Sequence, residues 1–367
     1  MATAETARTP PVPDVIPVRE GEGFDRAAVG AFLADKLPGA NGVPEVWQFA
    51  GGHANLTYLL YYPQPGGAAK QYILRRPPIG PVAATSHDMG REFRVLSILY
   101  RGYPLAPRAY VYCDDVSIIG APFFVMERRS GTVVRGTIPP EFGGGTDPVQ
   151  NRKLSEVLID ALADLHRVDA KSIGLESIGK PDGFMHRQVS GWTQRWVRAK
   201  TRDVELATTV SRWLEEHVPT SPPPTLLHND WRLDNMMVAA DDPGRAVAVF
   251  DWDMCTLGDP LADLGTLLTS WVEVGELVGP WTPMPSNSPG FLTRREAVAR
   301  YAARAGVDTS TIGYYRTFGL FKMAVVIQQI FFRYHQGQTQ DERFRAFEPV
   351  VDMLLGHAVH NIEQPDV

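Results

Sequence analysis

The chain has 367 residues, 44% of them hydrophobic and 21% charged, with a net charge of −6. That is room for two lobes of ordinary globular composition, without the basic field that nucleic-acid binding usually brings. Two cysteines far apart, Cys113 and Cys255, exclude a disulfide framework and a cysteine-based metal site, and fit a reduced cytoplasmic setting.

Residues 1–22 are rich in Pro, Ala and Thr and lack the apolar stretch of a secretion signal, so a disordered or loosely attached tail is expected there. Residues 25–37 then read as a helix, with Asp25 as its cap and Ala28, Phe32 and Leu33 on one face. Short β-branched and aromatic runs at 46–50, 55–62 and 71–75 predict an antiparallel meander, broken at Gly51-Gly52 and at the turn-rich 63–67. Helical spacing returns at 88–101 with Phe93, Leu96, Leu99 and Tyr100, followed by strands at 108–112 and 122–127. Past Arg129 the balance reverses: helices are expected at 151–168, 186–200 and 204–217, and a proline-rich stretch at 219–224 ends the run. Short apolar strands at 225–227, 236–238 and 247–250 precede helices at 261–271, 293–303 and 309–336 and a last one through Met353. The apolar run at 320–332 is interrupted by Lys322, Gln328 and Gln329 and is too short for a membrane span. The sum is an α+β chain: a small β-rich lobe over 23–127 and a larger, mainly helical lobe over 128–367.

The strongest chemical signal is His228-Asn229-Asp230-Trp231-Arg232-Leu233-Asp234-Asn235, just after an apolar strand, with Asp251-Trp252-Asp253 at the end of another strand downstream. Phosphoryl transfer needs one carboxylate beside the attacking hydroxyl and hard oxygen ligands for magnesium. An Asp and an Asn five apart in a tight loop can face one phosphate from two sides, and an Asp on the neighbouring strand completes the metal site. An Asp-x-x-x-x-Asn loop alone occurs often by chance; the strand–loop–strand–Asp arrangement does so far less.

These residues resemble the HGDxxxxN motif of the aminoglycoside phosphotransferase family, which includes choline and homoserine kinase-like enzymes. Residues 251–265, DWDMCTLGDPLADLG, are similar to that family's segment after the metal-binding Asp, and residues 49–58, 72–78, 91–96 and 123–127 are similar to its nucleotide loop, third strand, following helix and hinge strand. The subgroup most similar is the one associated with acyl-CoA dehydrogenases. The resemblance implies a protein-kinase-like two-lobe fold, with nucleotide binding in 23–127 and catalysis and substrate binding in 128–367. It implies ATP and Mg2+ as cofactors, Asp230 as the catalytic aspartate, and Asn235 and Asp251 as magnesium ligands. Gly51, Gly52 and Asn55 would lie at the phosphates, Arg75 would pair with Glu92, and main-chain groups of Met126, Glu127 and Arg128 would receive the adenine.

Three departures stand out: Asn229 replaces the motif's glycine, Arg75 replaces the third-strand lysine of kinases, and the glycine loop is short. Asn is the residue after glycine that best tolerates an unusual backbone, and Arg stays charged and can fork onto phosphate. Arg232 is either a contact to the transferred phosphate or a surface arginine. His228 reads as a brace for the loop, Asp259 and Asp263 as helix caps that also hold it, and His166 as structural. Arg187, Arg195 and Arg198 read as a solvated basic face, with binding of an anionic acceptor as the alternative.

The expected activity is transfer of the γ-phosphate of ATP to an alcohol group of a small molecule. The acyl-CoA dehydrogenase association suggests a hydroxy acid or hydroxyacyl-CoA rather than an aminoglycoside. The alternative is a nucleotide-binding pseudokinase or regulatory module, motivated by Asn229 and Arg75 and opposed by intact Asp230, Asn235 and Asp251. The signatures of protein kinases are absent, and neither a nucleic-acid partner nor a membrane span is expected.

Overall fold

The computed structural model describes residues 10–50, 55–79, 88–276 and 284–364. The chain divides into two compact units, residues 1–129 and 130–367.

The first unit contains β1 (Val15–Ile16), α1 (Arg26–Leu33), β2 (Glu45–Phe49), β3 (Leu56–Gln64), β4 (Gly67–Arg76), α2 (Met89–Leu99), β5 (Ala109–Cys113), α3 (Val116–Ile119) and β6 (Phe123–Glu127). Its six strands form one sheet in the order β1-β2-β3-β4-β6-β5, every neighbour antiparallel. Side chains alternate along a strand, and here the alternation sorts two faces. Tyr58, Leu60, Tyr62, Leu74, Val111, Phe123 and Val125 gather with Val29 and Leu33 of α1 on one face. On the other, Phe93 of α2 packs on Tyr112 and Phe124. Arg75 alternates with Leu74, so it lies on the α2 face, where its Nε is 3.1 Å from Glu92 Oε2.

β3 and β4 are longer than the sequence predicts. The turn-rich segment contributes strand at both ends, leaving Pro65-Gly66 as the loop between the paired Gln64 and Gly67, with Gly66 at φ +68°. Residues 10–22 correct the expectation of a loose tail. Val15 is buried, β1 pairs with Phe49 and Gln48, the Arg19 N–H donates to Gln48 Oε1, and Tyr58 donates its hydroxyl to the Glu22 carbonyl. Two residues are too few to register as a strand by alternation, but they complete the sheet edge. Residues 1–9 of the expected tail lie outside the described residues, as do Gly51 and Gly52.

The second unit contains β7 (Thr132–Val133), α4 (Pro148–His166), α5 (Ala170–Ile173), α6 (Phe184–Ala199), α7 (Glu205–Glu216), β8 (Thr225–Leu227), β9 (Met236–Ala239), β10 (Asp242–Val249), β11 (Thr256–Gly258), α8 (Pro260–Thr269), α9 (Arg294–Ala305), α10 (Ile312–His335) and α11 (Phe347–Glu363). Two small sheets, β10-β9-β7 and β11-β8, hold the segments that carry the motif. Helix α10 is the spine, packed by α6, α7, α8 and α11. It approaches α8 closely because Gly265 faces the Tyr315 backbone and Gly319 faces Thr269 and the Gly265 carbonyl. α4 and α9 are laced by two-pronged pairs, Arg300 to Asp160 and Arg304 to Asp164. The short β7, β11 and α5 carry no periodicity that sequence reading could detect, and the last helix runs on to Glu363. Among the described residues, no helix is long and apolar enough to cross a membrane.

Candidate active site

β8 delivers the chain into the loop that begins at His228, and a single 3-10 turn, Leu233–Asn235, leads it into β9. The buried tryptophans flanking this segment act as pegs: Trp231 donates its indole N–H to the Leu158 carbonyl, and Trp252 donates to that of Val249. His228, fully buried between their rings, lies 2.8 Å from the Phe250 carbonyl through Nε2, and its Nδ1 accepts from the Asp230 amide at 3.3 Å. The histidine therefore braces the loop.

Asp230 presents a carboxylate that is 40% exposed, open enough to meet a substrate. The Asn235 Nδ2 donates to both the backbone carbonyl and Oδ2 of Asp230, each at 2.9 Å. With its amide nitrogen so engaged, Asn235 keeps Oδ1 as an oxygen donor for a cation. The Asn235 carbonyl accepts the Phe250 amide at 2.8 Å. The residue after Phe250 is Asp251, so Asp230, Asn235 and Asp251 are brought together across one β9–β10 junction. The donor set, an amide oxygen and a carboxylate, is the hard-oxygen chemistry that magnesium takes. Arg232 is paired at 2.5 Å with Asp234 and its Nε is 3.9 Å from Asp230 Oδ2, so it is a neighbour of the carboxylate rather than a remote surface arginine.

Asn229 and Asp251 have φ of +68° and +67°, the two non-glycine residues with positive φ among those described. Such backbone is sparsely populated and persists only where surroundings over-determine it. At Asn229 they do. Asp263, near the start of α8, accepts the His228 amide through Oδ2 at 2.7 Å and the Asn229 amide through Oδ1 at 2.8 Å. The Asn229 side chain donates to the Met254 carbonyl at 2.9 Å, tying the loop to the turn after Asp251. Asp263 holds the loop but does not cap its helix; Asp259 is the α8 cap, accepting the Leu261 amide. Burial works to raise the Asp263 pKa, but the hydrogen bond and electrostatic pull of His166, together with His228, outweigh it and hold the carboxyl below its ordinary value. His166 Nε2 is 3.4 Å from Asp263, and its Nδ1 is 2.6 Å from the Tyr301 hydroxyl. Asp259, whose Oδ2 accepts the Tyr315 hydroxyl, is pushed upward by burial.

Lys322 is the residue that sequence reading missed. It noted the lysine only as an interruption in an apolar run. Its ammonium donates to the Asn229 carbonyl at 3.0 Å. Burial lowers its pKa, while Asp263 and Asp230 pull it back upward. Beside it lies Trp192, whose ring takes the Arg195 guanidinium at 4.5 Å and the Lys322 ammonium at 5.8 Å. Arg187, by contrast, donates to the Asp182 and Lys180 carbonyls, ahead of its own helix. The helix thus separates arginines that sequence spacing had grouped together.

In the first unit Arg75 and Glu92 form a buried pair, 11% and 1% exposed. The neighbouring Arg76 donates instead to the Ile119 carbonyl. Asn55 is buried at the start of β3. Met126 and Glu127 end β6, where the Glu127 amide donates to the Arg108 carbonyl, and Arg128 bonds to Gln71 and Asp14.

A small β-rich unit, a mainly helical unit and an Asp–Asn–Asp junction between paired strands define the protein-kinase-like class of phosphotransferases. The model of the phosphotransferase enzyme family matches residues 45–283, and the chain belongs to that family. Acyl-CoA dehydrogenase family member 11 of Gallus gallus is 31% identical over 356 residues, covering 93% of this chain and 44% of that protein. The chain thus spans less than half the length of that curated relative. A solved Ralstonia eutropha protein, described as a candidate aminoglycoside phosphotransferase, is 27% identical with a TM-score of 0.78, covering 92% of this chain and 99% of the other. An aminoglycoside phosphotransferase in complex with GDP and kanamycin, 13% identical with a TM-score of 0.58 and covering 91% and 98%, shares the fold.

Proposed function

We propose that the chain is an ATP- and Mg2+-dependent phosphotransferase that moves the γ-phosphate to the alcohol group of a small molecule in the cytoplasm. The observation that carries this reading is the bonded pair of Asp230 and Asn235, with Asp251 following the Phe250 whose amide the Asn235 carbonyl accepts. In it a partly exposed carboxylate is oriented by the same amide whose oxygen is left for a cation.

Asp230 orients the acceptor hydroxyl and takes its proton as the bond from the acceptor oxygen to the γ-phosphorus forms and the bond from that phosphorus to the β–γ bridging oxygen breaks, with ADP leaving. Asn235 Oδ1 and the Asp251 carboxylate would hold magnesium, which when bound neutralises charge on the β- and γ-phosphates. Arg232, within reach of Asp230, stabilises charge developing on the transferred phosphate. Arg75, set by Glu92, is assigned to the phosphate oxygens together with Gly51, Gly52 and Asn55, and the main chain of Met126, Glu127 and Arg128 to the adenine. The bonded positions of Asn229 and Arg75, the two departures that motivated a regulatory reading, support catalysis over that reading. The names of the acyl-CoA dehydrogenase relatives, and Arg195 beside Trp192, support a hydroxy acid or hydroxyacyl-CoA as acceptor over a polycationic aminoglycoside.

The test is Mg-ATP consumption by the purified protein with hydroxy acids, hydroxyacyl-CoAs and aminoglycosides as acceptors. Asp230→Asn is expected to lower turnover by about 10²–10⁴-fold while still binding nucleotide. Turnover by that variant at the wild-type rate would remove Asp230 from the chemistry.

A further inference from the structure

We propose that Lys322 is a positioning residue for the phosphotransferase reaction: it locks the peptide between Asn229 and Asp230 and so fixes the backbone from which the Asp230 carboxylate projects. The proposal rests on the phosphotransferase reading above.

Two peptide planes meet at Asn229. The amide of the first is held by an anion, Asp263 Oδ1, at 2.8 Å, and the carbonyl of the second by a cation, Lys322 Nζ, at 3.0 Å. The two anchors come from different helices, α8 and α10, which pack directly on each other. The side chain supplies a third tether, to the Met254 carbonyl. Rotation about φ or ψ of Asn229 therefore breaks at least one bond to a charged group, and such bonds are roughly twice as strong as neutral ones. This matters because φ is +68° here, a conformation that an Asn holds less readily than glycine.

The anchor is stiff. Lys322 sits in the middle of α10, and its neighbours Leu320, Phe321, Ala324 and Val325 are buried. Its ammonium is placed by the helix and by the Trp192 ring at 5.8 Å. Among the described residues, the Asn229 carbonyl is the one oxygen its ammonium is hydrogen-bonded to. A catalytic carboxylate displaced by as little as 1 Å can lose about two orders of magnitude in rate, so a clamp one peptide away acts on the reaction without touching substrate.

The experiment compares wild type with Lys322→Met, which keeps the unbranched stem but removes donor and charge, and Lys322→Arg, which keeps both. Amide hydrogen exchange is followed across residues 226–236 without ligand, and kcat and nucleotide KM are measured for Mg-ATP turnover. In Lys322→Met, exchange at Asn229 and Asp230 is expected to quicken by about tenfold with α4 and α9 unchanged. Its kcat is expected to fall by about tenfold or more, with nucleotide KM within about twofold. Lys322→Arg is expected to recover most of the protection and of kcat, and it carries the test if the Met variant does not fold. Wild-type exchange in Lys322→Met, or quickened exchange with unchanged kcat, overturns the clamp. A wild-type protein that neither binds nor turns over Mg-ATP sinks the phosphotransferase reading instead, while exchange still reports on the loop.

Discussion

Asn229 and Asp251 hold left-handed backbone at φ +68° and +67° on either side of the junction that carries Asp230 and Asn235. A side chain in that region costs roughly 1–2 kcal/mol over glycine, somewhat less for Asn and Asp. The site stores this strain because Asp263 and its partners over-determine the loop. Asp263 is buried and its pKa is depressed, which fixes the sign of its pH effect. Its contribution to stability is fully present above the unfolded carboxylate value of about 4 and is lost as pH falls through the lower folded value. Asp263→Asn is expected to lose about 3–5 kcal/mol at neutral pH, because it leaves His166 and two backbone amides without their anion. Thermal melting below pH 5 should show the wild type losing stability more steeply than the variant; parallel curves would deny Asp263 this role. At this scale the junction of Asp230, Asn235 and Phe250-Asp251 was legible because its residues lie at the ends of short apolar strands that pair with one another. Lys322, some ninety positions downstream, was not: a single lysine in an apolar helix carries no local sign of what its ammonium meets.

Elements that pack closely place the site. Gly265 of α8 meets the Tyr315 backbone so tightly that an added Cβ would fall 2.5 Å from it. Gly265→Ala must therefore push α8 off α10 and with it Asp263 off the loop. The expected cost is about 1–3 kcal/mol, seen as a melting temperature several degrees lower. An unchanged melting temperature would mean that the helices separate freely. The long helices were visible in the sequence through their 3.6-residue apolar spacing, and Asp25 caps α1 as expected, accepting amides of its first turn; Asp88 and Thr293 cap α2 and α9 in the same way. The two- to four-residue elements β1, β7, β11, α3 and α5 were not legible: the strands owe their form to partners far along the chain, and α3 and α5 are single turns, too short to show a period between their Asp and Gly caps.

At the scale of the whole molecule, the family assignment accounts for a β-rich unit and a helical unit in one chain, while the chain spans 44% of a relative named for a different, dehydrogenase chemistry. The reading that unites the observations is a magnesium-dependent phosphotransferase acting on a small hydroxylated molecule. Calorimetric titration of ATP into the purified protein, with and without magnesium and alongside Asp251→Ala, tests it most directly. The predicted result is binding that strengthens with magnesium and loses that gain in Asp251→Ala. No binding of ATP or GTP under either condition, or a magnesium gain that survives the substitution, would contradict it.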